Sequence, residues 1–277
     1  MTPLPERPIT VIKPSKGWVP VDLRDLWSYR DLFYILALRD IKVRYKQTLL
    51  GVAWAVIQPL ATMIIFTVLF GRIANMPSDG IPYPIFAYAG LLPWTFFANA
   101  VTNSGNSLVG NTALITKVYF PRLLIPMATV AAGLVDFMIA FGILLILMLL
   151  YGVPFTLNLA ILPFLLVLTS LTAVGVGLWM SALNVKYRDV RHALPFLVQI
   201  GMFVTPIIYP PSAIPEQWRW IITLNPLAGQ IEAYRAAIVG RPFDWLPLGV
   251  SVAVTAAILV YSAFMFKRME RRFADII

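Results

Sequence analysis

The chain has 277 residues, of which 59% are hydrophobic and 13% charged, at a mean hydropathy of +0.78. Soluble domains carry about 25% charged residues, so too few are present to cover a water-facing surface, and the exterior is expected to meet lipid. With no cysteine and one histidine, His192, the chain lacks the means for a disulfide scaffold, a structural zinc site or a Cys–His nucleophile, and no metal site is expected.

Residues 1–48 hold nine Lys and Arg and no apolar core of the kind a cleavable signal needs, so the first span is expected to anchor the chain. Residues 22–47 place Trp27, Tyr34, Leu38, Ile41 and Tyr45 on one helical face, which predicts an amphipathic helix in the membrane interface. Its cations Arg39, Lys42, Arg44 and Lys46 gather towards the first span. They serve either as an anchor among headgroups or, with Tyr45, as the receptor for a lipid-linked diphosphate.

Apolar runs of about 20 residues, the length that crosses ~30 Å at 1.5 Å per residue, follow at about 49–71, 85–108, 123–150, 159–183, 193–210 and 246–266. Their pattern is helical. The expected fold is an all-α polytopic membrane protein with six transmembrane helices in a single domain over 1–277, not a barrel.

Gln58-Pro59 in the first run predicts a kink, because proline removes a ladder hydrogen bond. The second carries Thr95, Asn99, Thr102, Asn103 and Asn106 as a polar stripe. Amides facing hydrocarbon cost kcal/mol each, so the stripe should face other helices or a wet cavity, as interhelical glue or as pore lining. Trp94, Phe96 and Phe97 supply rings that act as interface anchors or as platforms for sugars.

In the third run Asp136 is the one acid well inside a predicted span, and unpaired it would cost at least ~2.5–3.5 kcal/mol. Ala128, Ala132 and Ala140 share its face and permit close helix approach, so a partner is expected, either structural or in a proton relay. After the fifth run, prolines at 206, 210, 211 and 215 interrupt the chain. Residues 212–242 are too polar to span and too apolar for a solvated loop, which predicts two short helices begun by proline. The second would start at Pro226, with Leu227, Ile231, Tyr234 and Ile238 on one face and Glu232 paired with Arg235. This piece is a gate or a surface cap.

Of the 22 basic residues, 18 lie on the side that holds both termini, leaving Arg72, Arg219, Arg235 and Arg241 opposite. The positive-inside rule therefore places both termini in the cytoplasm. The net charge of +9 is a topology signal and an attraction to membrane lipids, and nucleic acid is not an expected partner. There is no G-x-x-x-x-G-K-[ST] loop, no G-x-G-x-x-G after a strand and no G-x-S-x-G, and His192 sits among Arg188, Asp189 and Arg191. The chain is not expected to be an enzyme, so uphill transport must draw on a coupled ion or on another subunit.

Five ordered blocks, RDIKVRYKQTLLGVAWAVIQP (39–59), KVYFPRLLIP (117–126), ALNVKYRDVRHALPF (182–196), TPIIYPPSAIPEQWRW (205–220) and NPLAGQIEAYRAAIVG (225–240), carry a further signal. They resemble the permease subunits of ABC-2 type exporters, in particular those for O-antigen and related lipid-linked polysaccharides. The resemblance implies a bacterial inner-membrane protein working as two copies of itself with two copies of an ABC ATPase. ATP and Mg would sit on that partner, none being bound by this chain, and the cargo would be a polymer on undecaprenyl diphosphate. Another lipid-linked or amphiphilic cargo (teichoic acid, capsule, drug) is the alternative, and ion-coupled transport a further one.

Carried onto these positions, Lys117, Val118, Tyr119, Phe120, Pro121 and Arg122 would seat the ATPase, with Tyr119 and Phe120 as apolar plugs, and Lys186, Arg188 and Asp189 beside them. The N-terminal helix would adjoin the place where the lipid diphosphate arrives. Tyr88, Trp94 and Phe97, with the polar stripe Thr95, Asn99, Thr102, Asn103 and Asn106, are candidates for the path, and Tyr209, Trp218, Trp220, Tyr234 and Arg235 for a periplasmic gate. A six-helix bundle packs its own centre, so a passage wide enough for a glycan is expected between two protomers.

Overall fold

The computed structural model describes residues 23–46, 53–270 and 273. The start of the first predicted span, Arg7, Lys13 and Lys16 of the N-terminal basic segment, and Arg271 and Arg272 lie outside the described residues. Within them the regular structure is helical throughout: α1 (Leu23–Ser28), α2 (Arg30–Lys46), α3 (Ala53–Phe66), α4 (Tyr83–Gly110), α5 (Thr112–Lys117), α6 (Leu124–Leu150), α7 (Leu162–Lys186), α8 (Val190–Val204), α9 (Glu216–Thr223), α10 (Pro226–Val239) and α11 (Trp245–Glu270). Local chemistry sets the ends. Asn225 caps α10 by accepting from the Leu227 N–H at 3.0 Å, Pro226 opens it, and Gly240 closes it at φ 75°, a conformation that suits glycine.

Among the described residues five helices are long and apolar enough to cross a membrane: Ala53–Ile73, α4, α6, Leu157–Lys186 and α11. The first contains Pro59 and continues from α3 into π-helical turns over Thr67–Ile73. The fifth predicted run is the shortest: its apolar helix, α8, has only 15 residues, and the rest of the run, 205–210, is irregular. Fifteen residues make about 22 Å of helix, short of a ~30 Å core. The chain then leaves the helix at Thr205, because Pro206, Pro210 and Pro211 lack the N–H that would continue it.

The irregular stretch 205–210 is mostly buried, and its carbonyls are claimed. Tyr83 donates its hydroxyl to Ile208 O at 2.9 Å, and Arg235 donates from Nη2 to Ile207 O at 2.7 Å. Non-helical backbone is tolerated at membrane depth only when protein satisfies it in this way.

Helix α4 is the hub. It packs against α3, α6, α7, α8 and α10 and is buried along most of its length. The main apolar core surrounds it. A second cluster at the basic end joins Leu36, Leu108, Ile115, Phe120, Leu123, Leu124, Leu178, Phe266 and Phe273. Buried polar groups tie the long helices together. Thr169 Oγ1 donates to Gln230 Oε1 at 2.9 Å, Gln230 Nε2 donates to Thr172 Oγ1 at 3.0 Å, and Thr172 meets Thr255 at 2.9 Å.

The two short helices expected in 212–242 are α9 and α10, but α10 is no surface cap. It is buried against α4, α7 and α11. Its closest approach is at Gly229, where a Cβ would lie 2.4 Å from Pro247 O and 2.5 Å from Ser251 Oγ. A Gly229→Ala substitution is therefore expected to cost about 1–3 kcal/mol by overpacking. A lowered melting midpoint in detergent is the check, and an unchanged midpoint would show that α10 is looser than this packing implies.

The predicted face divides. Leu32, Phe33, Leu36 and Ala37 of α2, with Leu26 and Tyr29 ahead of it, turn towards the second cluster; of the predicted face Trp27 and Tyr34 are exposed, whereas Tyr45 reaches Asp136. The helix runs alongside α6 in the same direction. Asp40 accepts from Thr129 Oγ1 at 3.1 Å, and one turn later Arg44 and Tyr45 meet Asp136. Asp136 lies twelve residues into α6, about 18 Å along its axis. Rather than lying wholly on the interface, α2 carries its C-terminal end along the inner part of the bundle.

Candidate functional site

The C-terminal turn of α2 opens on a cavity of about 280 Å³ between α3, α4 and α6. Asp136 lies at its wall. Arg44 Nη1 donates to Asp136 Oδ2 and the Tyr45 hydroxyl donates to Asp136 Oδ1, so each carboxylate oxygen has its own donor. This supplies the partner an intramembrane acid requires. The Tyr45 phenol is protonated at physiological pH and so serves as the donor of this pair.

Opposite Asp136 the cavity is lined by Thr95, Asn99 and Asn103 of α4 and by Gln58 of α3, with Trp54 and Phe96 as aromatic walls. The polar stripe of α4 therefore divides. Thr95 and Thr102 bond back to their own helix, at Leu91 O and Ala98 O, both at 2.8 Å. Asn106 serves as glue: it donates to Thr102 O at 2.8 Å and accepts from Asn184 of α7 at 3.1 Å. Asn99 and Asn103 are exposed in this single chain. Amides exposed along a span need water or another protein surface.

Three of the proposed path residues are corrected. Tyr88, Trp94 and Phe97 lie inside the protomer, because α4 is enclosed on nearly every side. Tyr88 donates to Ala140 O at 2.9 Å, and the rings of Trp94 and Phe97 are 5.8 Å apart with Gly201 of α8 against the indole.

The cations on α2 are not equivalent. Arg39 pairs with Asp40 at 2.8 Å and Arg44 with Asp136, while Lys42 and Lys46 are exposed. At the same end of the molecule Lys117, Val118 and Tyr119 are exposed, Tyr119 by 72%. Lys186, Arg188 and Asp189 are exposed as well. Phe120 is not a plug: it is buried in the second cluster, as Pro121 is buried beside it. Arg122 is tied inward, its N–H donating to Glu270 Oε1 at 3.1 Å and its Nη1 to Glu270 O at 2.9 Å.

At the opposite end the proposed gate residues separate into two groups. Trp218 and Trp220 on α9 are exposed, and Tyr209 is half-buried with its hydroxyl donating to Phe203 O at 3.1 Å. Tyr234 and Arg235 on α10 are buried. Arg235 pairs with Glu232, as the i,i+3 spacing predicts, and its guanidinium lies 3.7 Å over the Phe86 ring.

The model of the ABC-2 type transporter family matches residues 31–239, which contain α2, this cavity and both short helices. The chain belongs to the ABC-2 type transporter family. It is 30% identical over 248 residues to an O-antigen export system permease protein, RfbA, of Klebsiella pneumoniae, covering 89% of this chain and 95% of that one. The protein of the same name from Myxococcus xanthus is 28% identical over 258 residues, 91% and 98% of the two chains. The polysialic acid transport protein KpsM of Escherichia coli is 26% identical over 238 residues, 83% and 88%.

For this ABC-2 chain, sequence reasoning missed Trp54 as a cavity wall, Asn184 as the partner of Asn106, and Gln230 as the bridge between α10 and α7, whereas Phe96, one of its candidate ring platforms, does line the cavity. Gln58 and Asn184 are polar residues in otherwise apolar runs, a signal of the kind that singled out Asp136.

Proposed function

We propose that the chain is the permease subunit of an ATP-driven exporter, moving lipid-linked polysaccharide of the O-antigen type on undecaprenyl diphosphate from cytoplasm to periplasm. It works in the bacterial inner membrane with both termini cytoplasmic, as a homodimer bearing two copies of an ABC ATPase that holds ATP and Mg. The observation that carries this reading is the polar wall of Asn99 and Asn103 beside the Arg44, Tyr45 and Asp136 cluster. Exposed amides on the hub helix suit a hydroxyl-rich polymer and a second protomer facing them, and they do not suit lipid. The names of the relatives, which cover nearly their whole lengths with this chain, support the cargo class.

In this reading Arg44 and Tyr45 meet the diphosphate in the cavity beside Asp136. Lys42 and Lys46 draw anionic headgroups towards it. The exposed segment 117–119 and the turn 186–189 receive the ATPase. The test is co-expression with the ATPase of its own gene neighbourhood, purification in nanodiscs, and export of lipid-linked glycan by the reconstituted complex. A two-to-two complex whose ATPase activity rises with lipid-linked glycan is the expected result. A chain that purifies alone and moves no glycan overturns it.

A further inference from the structure

The paired state of Arg44 and Tyr45 has a chemical meaning of its own. A carboxylate that takes a guanidinium N–H on one oxygen and a phenol O–H on the other offers the same two-oxygen acceptor face as a phosphate ester. The two donors come from the end of α2, while the acceptor comes from the middle of α6. The bond joins the end of α2 to α6 beyond the Asp40 to Thr129 contact one turn earlier. Asp136, Arg44 and Tyr45 are all part-exposed to a cavity lined in addition by the side-chain amides of Gln58, Asn99 and Asn103.

We infer that Asp136 is an internal stand-in for the diphosphate of the lipid-linked substrate: it holds Arg44 and Tyr45 ready as donors and yields them to the incoming headgroup. The inference rests on the proposed function and assigns Asp136 a positioning role within it. A diphosphate brings more negative charge and more acceptor oxygens than one carboxylate, so both donors gain by the exchange. Asp136 loses its cation in the same step, and an intramembrane carboxylate cannot be left bare. The amides of Gln58, Asn99 and Asn103 across the cavity are the donors available to it. The exchange therefore frees the end of α2 from α6 only when an anion strong enough to replace Asp136 is present. A neutral isoprenoid alcohol has no such anion and leaves the pair closed.

Asp136→Asn removes the competing charge but keeps the shape, so it should tighten the binding of a polyprenyl diphosphate. A merely structural ion pair would instead weaken binding when broken. The experiment uses the permease with its ATPase in nanodiscs of phosphatidylcholine, with farnesyl diphosphate as probe. Asp136→Asn is expected to bind it at least fivefold more tightly than wild type, and Arg44→Gln at least tenfold more weakly.

A second readout uses the unmodified chain. Hydrophobic carbodiimide labels membrane-embedded carboxyls, and Asp136, held by Arg44, should be poorly labelled until farnesyl diphosphate draws the arginine away. A severalfold rise in adduct at Asp136, located by mass spectrometry, is expected with the diphosphate and not with farnesol. This arm remains decisive if Asp136→Asn misfolds.

The failures separate. If Arg44→Gln binds the probe as wild type does, the cavity is not the diphosphate site and the reading of that site falls. If Arg44→Gln weakens binding while Asp136→Asn fails to tighten it and carbodiimide labelling stays flat, the site stands and the exchange is overturned. An equal response to inorganic pyrophosphate, or to added phosphatidylglycerol, overturns the assignment to a lipid-linked diphosphate.

Discussion

Replacing Arg235 with methionine is expected to be among the most damaging single changes in the bundle. The guanidinium is buried to 3% exposure and joins three elements: Glu232 on its own helix, the Ile207 carbonyl of the irregular stretch, and the face of Phe86 on α4. Methionine fills a similar volume but leaves a carboxylate and a backbone carbonyl without their donor. Breaking a buried pair by removing one partner costs about 3–5 kcal/mol. The folded yield in detergent should fall several-fold, with a clearly lower melting midpoint. Arg235→Lys should recover only part of this, since a single ammonium lacks the planar fork that reaches both acceptors. The double variant Arg235→Met with Glu232→Met should be less damaged than the two single changes summed, because it leaves no orphaned charge. Strict additivity of the two would show that they act independently and would remove the ion pair from this account.

The same residue shows what could and could not be read in the sequence. The pairing of Glu232 with Arg235 follows from helical spacing alone, as do the long apolar spans. That Arg235 also holds residue 207 depends on where two distant segments meet, which no periodicity carries. The short α8 was foreshadowed by its prolines: a run measured by hydropathy passed through Pro206 and Pro210 as if they were helical. The need of Asp136 for company was legible from burial cost. Its partners were not, because 92 residues separate it from Arg44.

Aromatic residues misled for a related reason. Trp94 and Phe97 look like a ligand platform in a helix with one dry and one wet face. The hub helix has almost no free face, so its rings pack inward, and what faces the cavity is a narrow strip of amides. Amphipathic reasoning works best for a helix at the rim and worst for one at the centre.

The sharpest separation of roles is expected at two adjacent residues, Tyr119 and Phe120. Val118 is in extended conformation, and successive side chains of an extended segment point to opposite sides. Tyr119 is accordingly 72% exposed and Phe120 is 4% exposed, although the sequence presents them as a matched aromatic pair. Phe120→Ala should act on the permease itself, costing about 3–5 kcal/mol through the cavity it leaves in the second cluster. Its melting midpoint should drop whether or not an ATPase is present. Tyr119→Ala removes a surface ring and should change stability by no more than about 0.5 kcal/mol. If the segment seats the ATPase, however, an exposed tyrosine at that contact is worth about 2 kcal/mol, a loss of roughly 30-fold in affinity. The pair of measurements is the melting midpoint of each isolated variant and the amount of ATPase that copurifies with it. Wild-type recovery of ATPase by Tyr119→Ala would move the seat away from this segment and onto the turn at 186–189, where Lys186 and Arg188 are the exposed cations to test next.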